Sequence, residues 1–257
     1  MLMCLRRIRA LLVLCIWGVS FCRPAHAHDS EPINTDFASP LARHTANLNF
    51  DLQHFRSSPD EDLAGIDFEY GIARRMQFSL GMPMSRHVSA PAESVIGAGN
   101  LSFEYRYLIA GGNEKPFALS INPEAEFPTG NPGASDRAYA LGAALHLDAH
   151  RGDKLWLHSN WGYSTPVARF DEKEKDFNFA VAGMYEVTEK WHSVLEVFGQ
   201  HDFNSSVSQM FVAPELIYSL AEHWELKAAV PFGVTSSTPS VGLQFRLTWK
   251  IGPAERQ

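Results

Sequence analysis

The sequence predicts an all-β protein: a transmembrane antiparallel up-and-down β-barrel of about 12 strands. Three observations predict it. Segments of roughly ten residues recur about every 19 residues, and apolar and polar side chains alternate within them. The connections between segments alternate long and short, and the chain opens on an export signal. The last segment shows the alternation without an error. Val241, Leu243, Phe245, Leu247, Trp249 and Ile251 are apolar, while Gly242, Gln244, Arg246, Thr248 and Lys250 lie between them. Side chains on a strand point to opposite faces with period two. One face therefore suits hydrocarbon and the other carries cations and amides.

Residues 1–27 read as a signal peptide. Arg6, Arg7 and Arg9 form a basic region, Ala10 to Val19 is apolar apart from Gly18, and Ala25-His26-Ala27 is a small-x-small cleavage site, which sets His28 as the mature start. Cys22 follows Phe21, which does not fit a lipoprotein signal. All three cysteines (Cys4, Cys15, Cys22) lie in this leader, so the mature chain is expected to lack disulfides and thiolate metal sites. The leader holds four of the 22 basic residues and none of the 29 acids, leaving 18 against 29, or −11. That balance argues against nucleic acid as a partner. After the leader no run of about 18 apolar residues occurs, so no transmembrane helix is expected.

Residues 28–44 are expected to be a periplasmic lead-in, 45–251 the barrel, and 252–257 a C-terminal tail. The lipid-facing sets follow in order. The first strand offers Leu48, Phe50 and Leu52, and the second Ile66, Phe68 and Tyr70. The third carries Met76, Phe78, Leu80, Met82 and Met84, and the fourth Leu101, Phe103, Tyr105, Tyr107 and Ile109. Phe117, Leu119 and Ile121 mark the fifth, and Tyr139, Leu141, Ala143, Leu145 and Leu147 the sixth. The seventh has Leu155, Leu157, Trp161 and Tyr163, and the eighth Phe177, Phe179, Val181 and Tyr185. The ninth, near Trp191 to Gly199, and the tenth, near Met210 to Tyr218, are less regular. Trp224, Leu226, Ala228, Val230 and Phe232 give the eleventh, and Val241 to Ile251 is the twelfth.

Short connections fall near Ala73-Arg74, Gly111 to Glu114, Arg151 to Asp153, Thr188 to Lys190 and Ala221 to His223. Longer ones fall near Arg56 to Glu61, His87 to Ile96, Pro128 to Arg137, Thr165 to Lys175, His201 to Val207 and Gly233 to Ser240. Strict alternation is the mark of an outer-membrane barrel with both termini in the periplasm. Tyr70, Tyr107, Tyr185, Tyr218, Trp191, Trp224 and Trp249 gather beside the short turns, where an amphipathic ring sits at headgroup level.

The opposite parity supplies the candidate lumen-lining residues: Asp67, Glu69, Glu104, Arg106, Glu124, Glu126, His146, Asp148, His158, Glu196, Glu225, Lys227, Arg246 and Lys250. Acids crowd strands two to five, while late strands carry Lys227, Arg246 and Lys250. Two readings follow: an ion-pair network filling a narrow lumen, or a polar path with a transverse field. Twelve strands lie between barrels filled by side chains and barrels holding an aqueous channel. A three-residue turn at Arg151-Gly152-Asp153 would set His146 opposite His158, although no third metal ligand is evident. His158 and Ser159 are adjacent and point to opposite faces, so they form no phospholipase-type dyad; with no Gly-x-Ser-x-Gly elbow or zinc motif, no catalytic residues, cofactor or metal are expected.

Several segments resemble the outer-membrane transporters named for the meta pathway of phenol degradation. They are Glu69-Tyr70-Gly71-Ile72, Leu80-Gly81-Met82-Pro83, Gly97-Ala98-Gly99-Asn100-Leu101 leading to Tyr105-Arg106-Tyr107, and Phe127-Pro128-Thr129-Gly130-Asn131. The family usually has Asp where Asn100 stands. The resemblance is clearest over 65–131 and implies an outer-membrane channel for small aromatic or hydrophobic solutes; the leading reading of the chain is a diffusion route lined by the polar inner face, with the loops His87–Ile96 and Pro128–Arg137 as gates. Its implied partners are outer-membrane lipid, a small solute and the barrel-assembly machinery. Barrels of this class often end on an aromatic residue, whereas this chain continues past Trp249 to Gln257. The alternatives are a closed structural or adhesive barrel and a soluble periplasmic barrel.

Overall fold

A computed structural model describes residues 30–56, 61–89, 93–112, 115–131, 139–152, 154–167 and 175–252, with side chains at 61 and 85–96 outside that description. The expected leader and most of the C-terminal tail therefore lie outside the described residues. Most of the expected loop Pro128–Arg137 does so too.

The strands are β1 (Ala46–Arg56), β2 (Glu61–Ala73), β3 (Met76–Ser89), β4 (Glu93–Ala98), β5 (Leu101–Gly111), β6 (Phe117–Phe127) and β7 (Ala140–Arg151). They continue as β8 (Leu155–Pro166), β9 (Asp176–Thr188), β10 (Trp191–Asp202), β11 (Ser208–Ala221), β12 (Trp224–Ala229), β13 (Phe232–Gly233) and β14 (Val241–Ile251). Two barrel strands are interrupted. β4 and β5 break at Gly99-Asn100, and β12 and β13 break at Val230-Pro231, where proline cannot donate to a ladder. The 14 segments thus make a closed barrel of 12 antiparallel strands. β1 pairs with β14, setting Phe50 against Leu247 and Asp51 against Arg246, and so closes the sheet on itself. No described residue is helical, and no helix is long and apolar enough to cross a membrane.

The period-two reading holds around the wall. Phe50, Leu80, Met82, Phe103, Leu145, Trp161, Leu226, Leu243 and Phe245 lie on the exposed outer face. Their inward neighbours Asn49, Ser79, His146, Lys227 and Gln244 are buried. Such an apolar exterior would be a liability in water and is what a hydrocarbon solvent requires. Beside the short turns, Trp191 stacks on Tyr218 at 4.3 Å and Trp224 on Trp249 at 5.7 Å between centroids. Both pairs sit directly opposite in register. The expected connection at His87–Ile96 is instead drawn into the sheet, with β3 and β4 paired from Met84–Ala98 to Ser89–Glu93.

The weak alternation of the ninth and tenth predicted strands has a physical cause. Their inward positions are partly apolar too: Val194 on β10, and Phe211, Ala213 and Ile217 on β11, are all buried. Val194, Ala213 and Ile217 belong to two apolar clusters inside the barrel. One gathers Trp156, Ala182, Met184, Val194 and Ile217, with Phe37 packed on it, and the other joins Ile33 with Ala213 and Ala229. Ile33 and Phe37 come from the segment before β1, which enters the lumen.

Candidate functional site: the lumen and its plug

The expected lead-in runs differently: residues 30–42 lie inside the barrel, and Arg43 and His44 emerge exposed before β1. Pro32 and Pro40 keep this stretch out of a sheet, so its buried backbone N–H groups need side-chain acceptors. The wall provides them. Ile33 N donates to Glu215 at 3.1 Å, Ala38 N to Asp148 at 2.8 Å and Leu41 N to Gln77 at 2.8 Å. Glu196, fully buried, accepts from Asn34 N at 3.1 Å, Asn34 Nδ2 at 2.7 Å and Thr35 Oγ1 at 2.8 Å. Ser30 Oγ donates to Glu225. Near the short-turn end, His44 N donates to Gly71 O and Gly71 N to Thr45 O. A Cβ on Gly71 would stand 2.1 Å from Ala42 O, so only glycine lets the segment pass this close to β2. That gives the Glu69-Tyr70-Gly71-Ile72 motif a structural reason.

The other motif segments meet at the long-loop end. Gly99 N donates to Pro83 O at 2.7 Å, Leu101 N to Thr129 Oγ1 at 2.9 Å and Asn131 N to Ala98 O at 2.8 Å. Asn100 Nδ2 donates to Glu126 at 2.7 Å, while its Oδ1 accepts from Gly130 N at 3.3 Å. An ionised aspartate at 100 could not donate to Glu126. The departure from the usual Asp is therefore matched to its neighbour.

Eight of the fourteen candidate residues, Glu69, Arg106, His146, Asp148, His158, Glu196, Glu225 and Lys227, are buried, and the other six share strand parity with a buried residue. The structure sorts them by partner. Lys227 and Lys250 both reach Glu225, at 3.3 and 3.2 Å. Arg246 grips Asp51 across the β1–β14 seam at 2.6 Å, and Arg106 reaches Glu31 and Asp36 of the plug at 3.3 and 3.9 Å. Each cation is matched by an acid beside it, so the ion-pair network describes the lumen better than an open transverse field. Glu69 accepts from Asn47 at 3.0 Å and Gln77 at 3.3 Å, and Asp67 from Asn49 at 3.3 Å. Glu104 and Glu124 face one another in register on β5 and β6. Burial pushes the Asp36 carboxyl up, but Arg106, His146, Arg246 and Lys227 outweigh it and hold it below the ordinary value.

His146 is not opposite His158. Arg151 pairs with Leu155, so the turn spans 152–154, and the register moves by two residues. Parity survives, and both imidazoles stay inside. His146 now faces Asn160, and His158 faces Asp148. His158 Nδ1 meets Asp148 Oδ1 at 2.9 Å, Asp148 Oδ2 accepts from Ala38 N, and His146 Nδ1 meets Phe37 O at 3.4 Å. The pair grips the plug at residues 37–38. Among the described residues no group of three His, Cys, Asp or Glu side chains could hold a metal.

Sequence reasoning missed Asp51, Gln77, Glu215 and Gln244 on the wall, and Glu31, Asn34, Asp36 and Phe37 on the plug. The available signal was the excess of inward acids over inward cations. Buried carboxylates need donors, and the polar stretch before β1 supplies them.

The fold is that of outer-membrane channels. An outer-membrane channel from Pseudomonas putida F1 superposes with a TM-score of 0.68 at 13% identity, over 87% of this chain and 100% of that one. The NanC porin gives 0.58 at 10% identity, covering 80% of this chain and 100% of that one. The CymD monoaromatic hydrocarbon channel gives 0.50 at 5% identity, covering 84% and 90%. These neighbours are channels and porins, not enzymes. No curated protein matches the sequence. Over residues 33–251 the chain matches, and belongs to, the family described as Putative MetA-pathway of phenol degradation.

Proposed function

We propose that this protein is an outer-membrane diffusion channel for small solutes of aromatic or hydrophobic character, closed at rest by residues 30–42. One observation carries the reading. The segment filling the lumen is held by side chains and two short backbone contacts, not by a ladder, so it can leave without opening the barrel wall. The wall is closed by its own strand pairs, none of which involves the plug. Family membership and the channel neighbours support the same reading. The exterior is built for lipid, which supports location in the outer membrane with an export leader and assembly by the barrel-assembly machinery. The transported solute then diffuses along the inner wall once the plug moves.

The filled lumen also supports a second reading, a permanently closed barrel with a structural role. Planar-bilayer conductance separates the two. Deleting residues 30–40 is expected to raise single-channel conductance well above that of the full chain. A deletion variant that folds, as judged by heat-modifiable gel migration, yet passes no current above background supports the closed barrel.

A further inference from the structure

Phe37 is the plug's one phenyl ring, and it is seated in a slot whose chemistry exceeds what a phenyl group uses. The ring packs on the buried floor of Trp156, Met184, Val194 and Ile217. Its centroid lies 4.7 Å from the His158 imidazole, tilted by 34°, and the indole of Trp156 stacks on that imidazole at 6.3 Å and 6°. His158 is 1% exposed, and its Nε2 finds no hydrogen-bond partner among the described residues. In the tautomer whose Nδ1–H donates to Asp148, Nε2 carries a lone pair and can only accept. An aromatic floor with one buried, unsatisfied acceptor is complementary to an aromatic ring bearing a hydroxyl. A phenyl group fills the first half of that description and leaves the second empty.

We infer that the slot formed by His158, Trp156 and the floor beneath them is a binding site for a monoaromatic alcohol of the phenol class, and that Phe37 is its resident mimic. This rests on the channel reading above and adds the ligand and the trigger. Beside Phe37 and Trp156 the present cavity is about 20 Å³, room for one water. A monoaromatic ring needs a cavity nearer ~150 Å³, so solute and Phe37 exclude one another. A solute that enters the slot expels Phe37. Phe37 O on His146 and the adjacent Ala38 N on Asp148 go with it. Asp148 serves both the slot, through His158, and the plug, through Ala38, so occupancy of one loosens the other. The hydroxyl donates to His158 Nε2, an interaction Phe37 cannot make, and this gives the solute its advantage over the covalently delivered ring.

The test measures binding of phenol and of benzene to the detergent-solubilised full chain by calorimetry, which requires no conduction. Phe37→Ala empties the slot and is expected to bind phenol at least ~10-fold more tightly than the unmodified protein does. It should also favour phenol over benzene by ~10-fold or more. Adding His158→Phe keeps a ring in place but removes the acceptor, and should abolish that preference while benzene binding persists. Heat-modifiable migration certifies that each variant is folded. Equal affinity of Phe37→Ala and the unmodified protein for phenol overturns the site. A phenol preference that survives His158→Phe overturns the role of Nε2. If phenol binds as expected while bilayers pass no current, the site stands and the channel reading falls.

Discussion

Glu196 is where the seating of the plug can be weighed. The carboxylate is fully buried and accepts three hydrogen bonds from two consecutive plug residues, Asn34 and Thr35. Hydrogen bonds to a charged group contribute about 1.5–3 kcal/mol each. Three that share one side chain are not additive, so about 3 kcal/mol for the set is a sound working figure. Glu196→Ala removes all three hydrogen bonds. The donors left behind are unsatisfied while the plug is seated and hydrated once it leaves, so the loss falls on the seated state. At about 1.4 kcal/mol per tenfold, the seating equilibrium shifts about 100-fold. An unseated fraction of ~0.1% would rise to ~10%. The assay is the open-time fraction of single channels at fixed voltage, paired with the rate of protease cleavage within residues 30–45. Glu196→Gln keeps one acceptor oxygen and should fall between. A folded Glu196→Ala barrel whose open fraction and cleavage rate stay within threefold of the unmodified protein would refute the account of how the plug is held.

Other perturbations test other joints. Gly71→Val drives a side chain toward Ala42 O, where even a Cβ would sit 2.1 Å away, and should expose residues 30–45 to protease without changing heat-modifiable migration. Arg246→Ala leaves the largely covered Asp51 without its cation at the seam and should cost up to about 3 kcal/mol, seen as lower thermal stability. The Asp51→Ala/Arg246→Ala double variant should lose less, and equal losses would argue against pairing. Asp36 has its carboxyl held below the ordinary 3.8, so its stabilisation of the plug is complete above that value and fades as pH falls through the lower folded one. Channel opening on acidification through Asp36 should therefore appear only below about pH 4 and vanish in Asp36→Asn. Asn100→Asp puts a second carboxylate 2.7 Å from Glu126 and should destabilise the long-loop end by about 1–2 kcal/mol, measured by denaturant titration.

The barrel was legible because its rule is local. A tilted strand in lipid must alternate every second residue, and Val241 to Ile251 or Met76 to Met84 say so one position at a time. Parity also set the fourteen candidate residues apart from the lipid-facing ones, and eight of them are buried. The strand count follows from the same period together with the turn signals. Register was less accessible. The hairpin joining β7 and β8 keeps the same parity with its turn at 151–153 or 152–154, so the pattern leaves His146 facing either His158 or Asn160. The strands near Trp191 and Met210 were hard to read because their inner faces meet the apolar side chains of another segment.

What the sequence determined by itself is the wall: which face meets lipid, how many strands close it, and at which end the turns are short. What the tertiary structure decided is the occupant. Nothing local in Ser30 to Ala42 distinguishes a polar tail in water from a chain threaded through a lumen. Its hydrogen bonds close on Asp148, Glu196, Glu215 and Glu225, more than a hundred residues away. An inward carboxylate on a strand is compatible with an ion pair, a permeation path or a backbone acceptor. That choice depends on what stands opposite it, and only the closed barrel brings the two together.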